Sequence, residues 1–165
     1  MVVPFEKDII LENDCVLLRP LAITDYDHLI AIAMEDEHML QYSPTPIYTP
    51  ELFQAYLANA ESSRQNRTRY AFSVFNKRTN QYAGSTGYLH ISEPNDCLEI
   101  GHTWYGNDFR RTGLNRNCKY LLLQYAFEEL KAVRVEFRAD ERNIASCRAI
   151  EKIGGHLDGV LRKHT

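Results

Sequence analysis

Residues 109–119 read Phe109-Arg110-Arg111-Thr112-Gly113-Leu114-Asn115-Arg116-Asn117-Cys118-Lys119, and no other stretch restricts the fold as tightly. A turn built round one glycine follows the apolar segment 98–105. It opens a long amphipathic helix over 113–131, with Leu114, Cys118, Leu121, Leu122, Tyr125, Ala126 and Leu130 on one face. The first N–H groups of a helix lack intrahelical partners and, with the helix dipole, favour negative charge. Gly113 has no Cβ to hold a ligand away, and Arg110, Arg111, Arg116 and Lys119 surround the turn with positive charge. The pattern reads as a pyrophosphate cradle at a strand-to-helix junction. On this stretch alone, a solvated basic loop is the alternative. One glycine is too few for a dinucleotide fingerprint, and the second Gly with Lys and Ser/Thr of a P-loop is absent.

Length and composition narrow the class. A chain of 165 residues suits one domain with a substantial core. The apolar and charged fractions, 44% and 25%, are those of an ordinary globular protein. The net charge of −3 makes the basic turn a local feature, which argues against nucleic-acid binding. Cys15, Cys97, Cys118 and Cys147 are scattered without metal-ligand spacing. They suggest reduced thiols in a cytoplasmic protein, with no metal. No apolar run approaches the roughly 20 residues of a membrane span, and no signal peptide is expected.

Along the chain, Ile9, Ile10 and Leu11 suggest a short edge strand, and residues 15–19 a strand ended by Pro20. Thr24 reads as the N-cap of a helix whose apolar positions are Leu29, Ile32, Ala33 and Leu40. After a proline-rich loop over 42–50, Thr49 caps a second helix with Pro50 at its first position. Leu52, Phe53, Tyr56, Leu57 and Ala60 form its buried stripe, and the polar run 62–69 ends it. Residues 70–75 and 82–91 pair as a hairpin, and Cys97–Tyr105 follows as a third antiparallel strand. Residues 132–139 are β-rich, 144–153 form a helix stopped by Gly154-Gly155, and 156–163 start another strand. The expected fold is mixed α/β: one domain over 1–165, with helices on both faces of a mostly antiparallel sheet.

Arg110-x-x-Gly113-x-Asn115, then Asn143-x-x-Ser146, then Glu151-Lys152-Ile153-Gly154, resemble the GNAT acyltransferase superfamily. The likeness is greatest to its ribosomal-protein N-acetyltransferase (RimJ/RimL-type) branch. It extends from Leu17-Leu18-Arg19-Pro20 to Gly159-Val160-Leu161-Arg162. The resemblance implies a sheet whose central strands, here Cys97–Tyr105 and 132–139, splay to admit acetyl-CoA as cosubstrate. Main-chain contacts to the pantetheine arm would then fall at Thr103, Trp104 and Tyr105. Arg110, Arg111, Thr112, Gly113, Leu114 and Asn115 would hold the pyrophosphate. Asn143 and Ser146 would complete the cofactor site.

The implied reaction is direct attack of a neutral amine on the acetyl thioester in a ternary complex, without a covalent enzyme intermediate. Ser146 is the candidate proton donor to the departing thiolate, since the superfamily's usual tyrosine position is Ile150 here. Asn143 is the candidate for orienting the acyl group or pantetheine, and a helix N-cap is its other reading. Glu99 is the candidate base. His102 has opposite facing parity on the same strand and reads as a plain strand histidine. The acceptor expected is a protein N-terminal amine. A small-molecule amine or antibiotic, or a non-catalytic acyl-CoA-binding role, is the alternative. Gly155 stands where relatives carry Phe, and the sequence ends before the family's usual last strand. Either the fold closes with fewer strands, or homodimerisation completes the open sheet edge.

Overall fold

The computed structural model describes residues 1–162 except Pro44. Among them, six strands form one sheet in sequential order: β1 (Leu11–Glu12), β2 (Val16–Pro20), β3 (Arg69–Asn76), β4 (Gln81–Ser92), β5 (Cys97–Tyr105) and β6 (Arg134–Glu136). Every pairing is antiparallel except β5 with β6, which is parallel and extends only over Cys97, Leu98 and Glu99. Beyond Glu99, no strand among the described residues covers that edge of β5. The helices are α1 (Tyr26–Ala33), α2 (Pro50–Gln65), α3 (Leu114–Gln124) and α4 (Ile144–Lys152). The expected mixed α/β fold with helices on both faces is the one observed.

Local chemistry explains most boundaries. Thr49 Oγ1 accepts from the Leu52 N–H at 3.2 Å, and Pro50 takes the first helical position of α2, both as expected. Asp25, not Thr24, organises the start of α1. Its carboxylate accepts from the Ala22 N–H at 3.0 Å and pairs with Arg19, while Thr24 is exposed. A buried carboxylate with an arginine and a backbone donor is a stronger cap than a hydroxyl. The helix stops at Ala33, so Leu40 is not part of it.

The long third helix is less regular than its periodicity suggests. After Gln124 it widens, and the Leu130 N–H reaches the Tyr125 carbonyl at 2.9 Å. The Tyr88 hydroxyl, rising from β4, donates to the Leu122 carbonyl at 2.6 Å just before this turn. A side chain inserted at a helical carbonyl is a known cause of such widening.

The strand expected over 156–163 is absent. Residues 156–162 are irregular, Leu157, Val160 and Leu161 are exposed, and Lys163 lies outside the described residues. Three paired residues of β6 offer no adjoining ladder on which another strand could form. Likewise, only Arg134–Glu136 of the β-rich segment 132–139 joins the sheet.

Candidate active site

Two irregularities in the β4–β5 ladder shape this site. Gly101 pairs with Gly87 and Trp104 with Ser85, so His102 and Thr103 together oppose Thr86. That is a β-bulge, and His102 takes φ +48°, a conformation uncommon for non-glycine residues. A second one, at His90 with φ +46°, lies between the Leu89–Glu99 and Ser92–Cys97 pairs. Close contact of the strands next to the bulge depends on Gly84. A Cβ there would lie 2.0 Å from the Trp104 carbonyl oxygen, at φ +152°.

The bulge changes which residues share a face. Thr103 bonds Lys119 of α3 at 2.6 Å and Thr86 at 2.8 Å, and the Tyr105 hydroxyl bonds Asn115 Oδ1 at 3.1 Å. Both therefore look toward α3. Trp104 Nε1 donates to the Tyr56 hydroxyl of α2 at 3.2 Å and looks the other way. His102 is influenced electrostatically by Arg69 and His90, and His90 Nδ1 lies 2.7 Å from Glu99 Oε2. The single extra residue thus brings His102 onto the face of Glu99 and Trp104, against the parity read from the sequence.

The turn behaves largely as expected. Gly113 has φ +86° with nothing within 4 Å of where a Cβ would stand; as the N-cap of α3 it has no side chain to offer, and Thr112 Oγ1 accepts from the Leu114 N–H at 3.4 Å. The Thr112 hydroxyl donates to the Phe109 carbonyl at 2.7 Å, and Arg111 takes φ +61°. Arg111 and Arg116 are exposed and form no ion pair among the described residues. Arg110 turns aside, donating Nε to the Tyr105 carbonyl at 3.3 Å with Asp36 4.0 Å away. Leu114 is buried beneath the turn.

Lys119 corrects the sequence reading: it faces the sheet, not the turn. The residue is 6% exposed; its amine bonds, among the described residues, only the Thr86 and Thr103 hydroxyls, and lies 5.9 Å from the Phe137 ring. Burial without a carboxylate partner lowers its pKa to about 8.

Glu99 is buried on the α2 face, where His90 and Arg138 Nε (3.1 Å) hold its carboxylate. Asn143 is the N-cap of α4, its Oδ1 accepting from the Ser146 N–H at 3.1 Å. Half-buried Ser146 sits in the first turn of that helix, and α4 buries none of its residues. His102 is the perturbed group of the α2 face: burial first, then Arg69 and His90, bring its pKa down to about 4. The sequence reading missed Arg69, taken as the end of a polar run. It is the first residue of β3, shares parity with Ala71 and Ser73, and is 4% exposed. Its position directly before an alternating strand was the available signal.

In chemical terms, a basic helix start with a glycine N-cap lies beside a strand edge that, among the described residues, lacks a neighbour. A titratable, hydrogen-bonded face lies on the other side of the same strand. An extended ligand with a phosphorylated end fits the first pair, because free N–H donors meet the phosphates and the strand edge can pair with an amide-bearing arm. No cluster of three or more His, Cys, Asp or Glu side chains that could hold a metal occurs among the described residues.

The comparisons agree with this geometry. The model of the acetyltransferase (GNAT) domain matches residues 16–156. The "Probable N-acetyltransferase YjcK" of Bacillus subtilis is 25% identical over 160 residues, 93% of this chain and 87% of that protein. The crystal structure of a GCN5-related N-acetyltransferase from Brucella melitensis superposes with a TM-score of 0.89 at 28% identity, covering 98% of this chain and 74% of that one. A ribosomal-protein-alanine acetyltransferase from Vibrio fischeri shares the fold, with a TM-score of 0.76 at 18% identity over 96% of this chain and 88% of its own. With the family model spanning most of its length, the chain belongs to the GNAT acetyltransferase family and is an N-acetyltransferase.

Proposed function

We propose that the chain, acting as a single unit over 1–165 in the cytoplasm, transfers the acetyl group of acetyl-CoA to a primary amine. The acceptor is a protein N-terminus of the RimJ/RimL kind. The observation that carries this reading is the bulge at His102–Thr103, set after β5 leaves β6 and beside the start of α3 at Gly113. Acetyl-CoA supplies the activated acetyl group. Arg111, Arg116 and the N–H groups following Gly113 hold its pyrophosphate, and the free edge of β5 around Thr103–Tyr105 holds its arm. Glu99, kept in place by His90 and Arg138, takes the ammonium proton through a water, and Ser146 protonates the departing thiolate. Asn143 keeps Ser146 in register by capping α4. The short edge of β6 and the exposed Ile144, Leu157 and Val160 are where a second copy would dock.

Calorimetric titration with acetyl-CoA tests the cofactor half of the reading. The intact chain is expected to bind at micromolar affinity, and an Arg111→Glu, Gly113→Asp variant is expected to lose binding at least tenfold. Release of CoA with N-terminal peptides tests the acceptor half. A folded protein that does not bind acetyl-CoA refutes the proposal.

A further inference from the structure

On the α2 face of the sheet, Arg69 carries a buried charge that no carboxylate among the described residues neutralises. Its Nη2 donates to the Tyr56 hydroxyl at 2.7 Å and its guanidinium lies 5.0 Å from that ring, but Nε and Nη1 have no partner. Tyr56 can offer nothing more. Its oxygen accepts from Arg69 and from Trp104 Nε1 at 3.2 Å, and its proton goes to Ser85 Oγ at 3.2 Å. The carboxylate on this face, Glu99, is engaged by His90 and Arg138. Two further buried polar atoms are unpartnered: Ser73 Oγ, on the same strand and face as Arg69, and His102 Nδ1.

The register shows how a ligand reaches them. Ala71, Gly87 and Gly101 stand abreast on β3, β4 and β5, so one row across this face has no side chain beyond a methyl. The row begins at the uncovered edge of β5, where Gly101 and His102 are half-buried. Glu99 and Leu89 border it, with Glu99 Oε1 3.0 Å and Leu89 Cδ2 3.1 Å from where a Gly101 Cβ would be, so Leu89 must swing aside for a ligand to enter. Arg69 and Ser73 flank its inner end on β3. Buried donors left without acceptors are rare in folded proteins, because each loses its water without compensation. A guanidinium in that condition, at the end of a row of small residues that starts at an uncovered strand edge, is matched to an anionic oxygen.

Resting on the acetyl-transfer reading, we propose that Arg69, with Ser73 and His102, recognises a carboxylate carried by the acceptor a few bonds from its amine. The amine then lies toward Glu99 and the bulge while the carboxylate takes the free guanidinium donors. A free amino acid and a peptide with an acidic residue next to its N-terminus both present this chemistry. Ser73 makes no hydrogen bond that the fold needs, so it separates recognition from structure.

The test is acetyl transfer to matched acceptors: alanine against alaninamide, and Ala-Glu peptides against Ala-Gln peptides. The wild-type chain is expected to prefer the carboxylate-bearing member of at least one pair tenfold or more in kcat/KM. Which pair responds identifies the source of the carboxylate. Arg69→Gln is expected to abolish the preference with acetyl-CoA affinity unchanged. Ser73→Ala is expected to raise KM for the preferred acceptor several-fold while leaving the fold intact. A silent Ser73→Ala together with equal rates for both members of each pair overturns the proposal and leaves acetyl transfer standing. If no acceptor turns over although acetyl-CoA binds, calorimetry of the same acceptors in the presence of CoA decides: equal binding, or none, overturns the proposal. Absence of acetyl-CoA binding refutes instead the reading on which it rests.

Discussion

Replacing Lys119 by Met should stabilise this protein at neutral pH, and by an amount that depends on pH. The residue is 6% exposed, and burial lowers the amine's pKa from 10.5 to about 8. Keeping it protonated below pH 8 therefore costs up to about 3 kcal/mol relative to the unfolded chain. The Thr86 and Thr103 hydroxyls, at 3.2 and 2.6 Å, recover part of that by accepting from the ammonium. Met fills a similar volume, and the bond between the two threonines at 2.8 Å survives the change. The net gain at pH 7 is then about 1–3 kcal/mol, a rise in Tm of roughly 2–12 °C for a chain of this size.

The sign with pH follows from proton counting. Between pH 8 and 10.5 the unfolded chain holds the Lys119 proton and the folded one releases it, so wild-type stability rises with pH across that window. The Met variant has no such group. Its advantage should shrink by about 2 kcal/mol between pH 7 and pH 9.5. Urea unfolding of both proteins at the two pH values measures it. A constant difference, or a variant less stable at pH 7, refutes the idea that this charge is a burden on the fold.

Other perturbations separate roles that lie close together. Asn143→Ala removes the acceptor 3.1 Å from the Ser146 N–H and should cost about 1 kcal/mol locally, seen as faster hydrogen exchange over 144–152. Ser146→Ala leaves that cap in place, so a drop in kcat of roughly tenfold or more with unchanged exchange would mark it as a proton donor. Glu99→Gln keeps the shape between His90 and Arg138 but removes the charge. As the base, its loss should lower kcat/KM about a hundredfold at pH 7, with recovery at high pH as the amine deprotonates unaided. A flat pH dependence of the ratio to wild type would assign Glu99 to holding the sheet face together.

What the sequence made legible was what depends on neighbours along the chain. The Gly113 turn, the Thr49 and Asn143 caps and the stop at Gly154 each follow from a few adjacent residues, and each is found where it was read. The misreadings concern charged or polar side chains whose surroundings come from elsewhere in the chain. Lys119 and Arg69 were taken as solvated because isolated cations seldom enter a core. Their acceptors, Thr103 and Tyr56, are 16 and 13 residues away, and periodicity does not report them. The strand expected over 156–163 had the right residues but no adjoining ladder among the described ones.

The bulge was the least legible feature, and it organises the rest. In a regular strand, Glu99 and Thr103 would share a face and Trp104 would lie opposite. With one extra residue, Thr103 turns to α3 and His102 and Trp104 join Glu99, so Thr103 and the groups around Glu99 part across one strand. A bulge also sharpens local twist, which carries the strand away from a parallel neighbour. Loss of pairing with β6 beyond Glu99 and the change of facing at His102 are therefore consequences of one insertion. The positive φ of His102 is sustained because Thr103 and Trp104 are each fixed by side-chain bonds to opposite helices, leaving the backbone between them no relaxed alternative.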